Sequence, residues 1–256
     1  MSFTDATKRA IATVWDLVPK RPALTVLYYH AVRADQAAAF EAQMALLRRT
    51  ANIVPADHTG PLDRDRPNVA VTFDDAFRSV REHALPALIR HRVPATIYVP
   101  SGWLGRTPGW AMETSADREE VVMSAEEIAR LPTDLIAIGS HTADHPRLST
   151  LPVDEVDNQL VGSRRALESL LGRPVDTLAF PYGDHNAAVV ERAKVAGYRH
   201  VFTVSPEAIA AGSVALVRGR TSADPSDPLP VFALKSRGAY AIMPLFYRLK
   251  RWLRGR

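Results

Sequence analysis

The feature that most limits what this chain can fold into is its alternation of short apolar runs with helical segments. Six runs, at residues 23–29 (ALTVLYY), 68–73 (NVAVTF), 95–99 (ATIYV), 135–139 (LIAIG), 177–180 and 200–204, are dominated by β-branched, aromatic and other apolar residues. Most show no regular polar alternation, the pattern of strands covered on both faces. A seventh short run follows at 215–217. Helical spacing fills the gaps, at 4–18, 37–49, 78–91 with a bend at Pro86, 124–130, 153–171 and 187–196. Ser124 followed by Glu127 opens one of these helices as a capping box, and Gly172 and Gly197 close two others. Strand–helix alternation demands parallel strands joined by crossover helices. About seven such units in 256 residues predict an α/β fold, a distorted or incomplete (β/α)7-type barrel of parallel strands.

Parallel barrels place their chemistry at the C-terminal ends of the strands. His30 follows the first strand, and Asp74 and Asp75 follow the second. Ser140, His141, Asp144 and His145 follow the fourth. Pro181, Tyr182, Gly183, Asp184 and His185 follow the fifth. Four of the eight histidines in the chain stand at such positions, so the fold would gather scattered polar residues on one rim. The chain has no cysteine, so any metal must be held by nitrogen and oxygen. His141 and His145 are one helical turn apart in sequence, a spacing that puts two imidazoles on one face of a helix. One carboxylate of the Asp74–Asp75 pair would complete a His2Asp set, leaving the other free to take a proton from water. Residues 101–122 form a long loop carrying Trp103 and Trp110, and loops of that length in a compact domain are often functional.

With T-F-D-D at 72–75, S-H-T-A-D-H-P at 140–146 and F-P-Y-G at 180–183 in this order, the chain resembles the polysaccharide deacetylase family, also called the NodB-homology domain or carbohydrate esterase family 4. The resemblance runs from about residue 24 to about residue 221. It implies a metal-dependent enzyme that removes N- or O-linked acetyl groups from a carbohydrate, a cell-envelope polysaccharide or its precursor. It assigns Asp75, His141 and His145 to a divalent ion, Zn2+ first among the choices, and Asp74 to the role of general base. Pro181 and Tyr182 become the groove wall, with the Tyr182 backbone N–H at the oxyanion. Two departures stand out. Many members carry an arginine, paired with the catalytic aspartate, where this chain has Ala179, so the resemblance leaves Asp74 without that partner. Many also carry a late histidine that protonates the leaving group, and the matching stretch 216–220 (LVRGR) has none. His30 and His185 remain as rim candidates for that acid. A non-catalytic sugar-binding relative, or a metal hydrolase of another amide or ester, is the alternative that these departures leave open.

Residues 1–22 read as an N-terminal helical extension, 23–235 as the deacetylase-like domain and 236–256 as a basic amphipathic C-terminal helix. After Asp227 no acidic residue occurs, whereas seven lysines and arginines do. Leu245, Phe246, Leu249, Trp252 and Leu253 fall on one face of that helix and the cations on the other, the pattern of a helix lying on an anionic membrane. No secretory signal or spanning segment is read from the sequence. The expected location is therefore cytoplasmic, with peripheral contact on the inner membrane face. No nucleic-acid motif is present, and the partner that the resemblance implies is an acetylated sugar.

Overall fold

The structure, a computed structural model, describes residues 4–18, 21–112 and 115–246. Its centre is a sheet in which the parallel strands β1 (Ala23–Tyr29), β3 (Asn68–Phe73), β4 (Ala95–Val99), β5 (Ile136–Ser140), β6 (Thr177–Ala179), β7 (His200–Phe202) and β9 (Val217–Arg218) follow one another. A short strand β10 (Thr221–Ser222) lies on the other side of β1, and parallel to it. The two-residue strands β2 (Asn52–Ile53) and β8 (Ile209–Ala210) pair with β3 and β1, and β8 is the one antiparallel member. The sheet therefore begins at β10 and ends at β9, and only Gly219 and Arg220 separate those two strands in sequence. This is the expected barrel of parallel strands, nearly closed, with an unpaired seam between its first and last strands.

The helices form where the sequence signals them. Helix α1 (Asp5–Asp16) starts at Thr4, whose side chain accepts from the Thr7 N–H. Both hydrogen bonds of the Ser124–Glu127 capping box are present at α4 (Ala125–Ala129), and Gly172 closes α5 (Val153–Leu171) in the left-handed conformation. Before α3 (Leu85–His91), residues 80–84 make a π-helical turn. Pro86 has no N–H to return to the Glu82 carbonyl, so the ladder widens there. Three short elements escaped sequence reading: β2, β8 and β10, each only two residues long. So did α7 (Leu229–Ser236), whose mixed apolar run gives no clear helical stripe.

Helices α2 (Ala37–Thr50), α3 and α7 cover the outside of β1 and β3 through Phe40, Met44, Leu88 and Phe232, all fully buried. Inside the barrel, Val26, Ala70, Tyr98, Ala179 and Phe202 come together from five strands. Strand side chains alternate faces, so Tyr28, Thr72 and Asp74 share the inward phase of Val26 and Ala70. A fourth cluster joins Ala12 of α1 to Leu234, Ala239, Ile242 and Met243, so the chain's two described ends pack together. Among the described residues, no helix is long and apolar enough to cross a membrane. Residues 247–256 of the amphipathic segment expected at 236–256 lie outside the described residues. Of its apolar face only Leu245, which is exposed, and Phe246, which packs against the fourth cluster, are described.

Candidate active site

Three loops carry the site, each leaving the C-terminal end of a strand, and each departs from regular backbone. Among the described residues, six non-glycine positions have positive φ. Five of them are Asp75, Ala76, Thr142, His145 and Tyr182. Such conformations cost free energy and persist where function and surrounding structure hold them. His141 and His145 are therefore not on a helix, as their spacing had suggested. β5 ends at Ser140, and the chain turns through Thr142 (φ 65°) and His145 (φ 61°). The turn is held by hydrogen bonds that the Thr142 and His145 N–H groups donate to Ser140 Oγ and Thr142 Oγ1. A loop brings the two rings together where a helix was expected.

The rings converge on Asp75. Its Oδ1 lies 3.6 Å from His141 Nε2 and 3.3 Å from His145 Nε2. All three side chains are buried, and their ligand atoms lie within 4.8 Å of one another. Asp75 Oδ1 accepts no hydrogen bond. A buried carboxylate oxygen without a donor is costly, and a cation between it and two imidazoles would remove that cost. His141 Nδ1 lies 2.8 Å from the Ala179 carbonyl oxygen. That carbonyl can only accept, so Nδ1 carries the proton and Nε2 presents its lone pair to Asp75. Burial, above all, pushes His141 down to about 4, which keeps the ring neutral as a ligand must be. The donor set of two imidazoles and one carboxylate suits zinc and similar divalent ions.

Beside this trio, Asp74 has the partner that the sequence reading denied it. The residue at the usual arginine position is Ala179, which supplies only its carbonyl. The guanidinium comes from Arg220, 146 residues downstream of Asp74. Arg220 Nη1 donates to Asp74 Oδ1 at 2.7 Å and Nη2 to Oδ2 at 2.8 Å, a bidentate pair. Its Nε donates to the Thr203 carbonyl, and its guanidinium carbon sits 4.8 Å from the Tyr28 ring centre and 5.3 Å from that of Tyr98. Arg220 is fully buried in the seam between β9 and β10. Gly219 makes the approach possible, since a Cβ there would lie 2.5 Å from the Ser205 carbonyl oxygen. Burial alone would raise Asp74, but the charges of Arg220 and His141 outweigh it and hold the carboxyl at about 2. The arginine lies within the 216–220 stretch, which has no histidine. What hid it is that the family position it replaces lies on a different strand.

A small pocket of about 60 Å3 opens above these groups and is lined by Asp74, Asp75, His141, His145, Tyr182 and His30. Trp110, Ala111 and Met112 of the long loop line it too, with Tyr28, Asp117 and Val204. Trp110 stacks on His145 with ring centres 4.4 Å apart and planes at 23°, and Tyr182 meets the same ring edge-on at 4.7 Å. The Tyr182 hydroxyl donates to the Ala111 carbonyl oxygen at 3.1 Å, tying wall to loop. Pro181 is buried. His185 is not in this pocket. Its ring stacks on Phe180, and its Nδ1 bonds the Gly183 carbonyl on the exposed side. Of the two rim histidines, only His30 faces the chemistry.

Comparison with known proteins agrees with this geometry. The profile of the polysaccharide deacetylase family matches residues 62–201. YxkH of Bacillus subtilis (strain 168) is 24% identical over 223 residues, which cover 82% of this chain and 75% of YxkH. The peptidoglycan-N-acetylglucosamine deacetylase PgdA of Listeria monocytogenes serotype 1/2a (strain 10403S) is 30% identical over 132 residues. That match takes in 51% of this chain but spans only 25% of PgdA. The structure of IcaB from Ammonifex degensii superposes with a TM-score of 0.71 at 25% identity, covering 85% of this chain and 98% of that one. The chain belongs to the polysaccharide deacetylase family.

Proposed function

We propose that this protein is a metal-dependent hydrolase that removes acetyl groups from an N-acetylated sugar of an envelope polysaccharide or its precursor. One observation carries the reading: a donor-less carboxylate oxygen faces two imidazoles, next to a second carboxylate fixed by arginine in the same pocket. A divalent ion held by Asp75, His141 and His145, zinc for this donor set, would polarise the acetyl carbonyl and acidify water. Asp74 takes the proton of the attacking water. Held at about 2, it is ionised at every physiological pH and is a weak base, so it depends on the water being acidified. The Tyr182 backbone N–H donates to the developing oxyanion. His30 passes a proton to the leaving nitrogen. The name of PgdA supports an N-acetylhexosamine substrate, and the shared family supports a carbohydrate.

The direct test is acetate release from N-acetylglucosamine oligomers by the zinc-reconstituted protein. Activity should vanish on chelation and return with zinc. Full zinc occupancy with no acetate from any acetylated sugar would overturn the reading. For His30, we expect His30→Gln to lower kcat by about 10²-fold or more with zinc content unchanged, and a wild-type kcat would remove it as the acid.

The two metal-facing histidines are held differently. His141 is oriented by its hydrogen bond to Ala179, whereas His145 Nδ1 is buried without a partner. Metal-bound histidines are usually aimed by a hydrogen bond at the second nitrogen. At His145 the stacked Trp110 and the edge of Tyr182 do the aiming instead. Trp110→Ala is expected to weaken zinc binding by roughly 10–100-fold, the range seen when outer-shell partners are lost, and Trp110→Phe to recover most of it. Chelator competition measures this. Equal affinities in all three proteins would make Trp110 only a wall of the pocket.

A further inference from the structure

The largest cavity next to the site has no role in the chemistry above. It measures about 770 Å3 and lies between the β7 and β10 loops, α1, α7 and Tyr240. It meets the catalytic pocket at Val204, which lines both. Tyr28 of the catalytic pocket is the register partner of Ser222 in the cleft wall. Sites that enclose a whole small ligand measure about 300–1,000 Å3. The catalytic pocket, at about 60 Å3, has room for an acyl group and little else, so the remainder of a substrate must lie elsewhere.

Resting on the deacetylase reading, we infer that this cleft binds further sugar units of the polymer whose acetyl group is removed at Asp74. The lining favours a neutral, hydroxyl-rich ligand. Ion pairs line it, Lys8 with Asp5 at 2.9 Å and Lys235 with Asp227 at 2.6 Å. Each pairing offsets most of the charge, and the carboxylate oxygens can still accept from hydroxyl groups. Thr221, Ser222 and Ser226 add hydroxyls, and Tyr240 adds an aromatic ring. With Arg9 the cleft holds three cations against two carboxylates. That balance is too even for a polyanion, and charged and hydroxyl groups interleaved with Val204, Pro206, Pro228 and Val231 suit a sugar, which has both hydroxyls and apolar ring faces, better than an acyl chain. The cleft exists only because α1 packs on the C-terminal segment through Ala12, Ile242 and Met243. This gives the N-terminal helix a part in choosing substrate length.

The test is the ratio of kcat/KM for the hexamer of N-acetylglucosamine to that for the dimer, with zinc-loaded full-length protein. We expect about tenfold in the wild type, equivalent to ~1.4 kcal/mol of added binding. The ratio should fall to about one in Ser222→Trp and in Ser226→Trp, which fill the cleft from two different places. A partly unfolded preparation lowers both rates alike and leaves the ratio intact. A wild-type ratio near one, or a ratio that both variants keep, overturns the inference. If no oligomer yields acetate, calorimetric binding of the hexamer decides the cleft separately, and the deacetylase reading fails only if no acetylated sugar yields acetate. Binding lost in both variants supports it, and binding retained in both, or absent from the wild type, overturns it.

Discussion

Asp74→Asn is expected to lower acetate release by about 10²–10⁴-fold, the usual contribution of a positioned general base, while the protein keeps its zinc. The amide has nearly the shape of the carboxylate and still offers Arg220 an acceptor, so the pocket stays formed. It cannot take a proton from water. Asp75, His141 and His145 do not depend on Asp74 for their mutual contacts, so metal content should match the wild type. The informative measurement is kcat per zinc-occupied molecule, because removing the negative charge beside Arg220 also costs stability. Wild-type turnover in a zinc-loaded Asp74→Asn protein would eliminate Asp74 as the base and would move attention to Asp117, which lines the pocket together with Asp74 and Asp75.

Arg220→Met should have the largest effect on stability. The pair it breaks is buried on both sides, with Arg220 at 0% and Asp74 at 3% exposure. Removing one partner of a buried ion pair typically costs about 3–5 kcal/mol, because the other charge is left without compensation. Here the loss extends further. The same guanidinium bonds the Thr203 carbonyl and stacks against Tyr28 and Tyr98, so one side chain ties β3, β4 and the β7 loop across the seam. Arg220→Lys should fare little better, since an ammonium cannot make the bidentate, stacked contact. Arg220→Met combined with Asp74→Leu should regain part of the stability, because apolar replacement of a whole buried pair is often neutral. Urea denaturation of the single and double variants measures these terms. A cost below about 1 kcal/mol for Arg220→Met would show that the seam does not rely on the pair.

Much of the molecule was legible in the sequence because the relevant physics is local. A strand covered on both faces must be a short apolar run, and β3 has both its sequence-read ends and complete burial. A helix must be capped at one end and released at the other, which Ser124 and Gly172 announce. The rule that barrel chemistry sits after strands placed Asp74, Asp75, His141, His145, Tyr182 and His30 on one rim, and they line one pocket. His185 obeyed the same rule and failed, because the turn after Phe180 swings its ring outward.

The sequence by itself determined the order of elements, the parallel barrel and the identities of the three residues facing one another across the site. Tertiary structure alone decided the rest. No periodicity could show that His141 and His145 meet through a strained loop, since their spacing also fits a helix. Nor could it show that Trp110 holds a ring whose second nitrogen has no donor or acceptor, or that α1 helps to wall a cleft beside the pocket. Above all it could not pair Arg220 with Asp74. Sequence patterns report whether a residue is buried and on which face, and those depend on near neighbours along the chain. Which guanidinium reaches a given carboxylate depends on how the sheet closes, and here the first and last strands stop short of pairing and leave a seam that Arg220 fills.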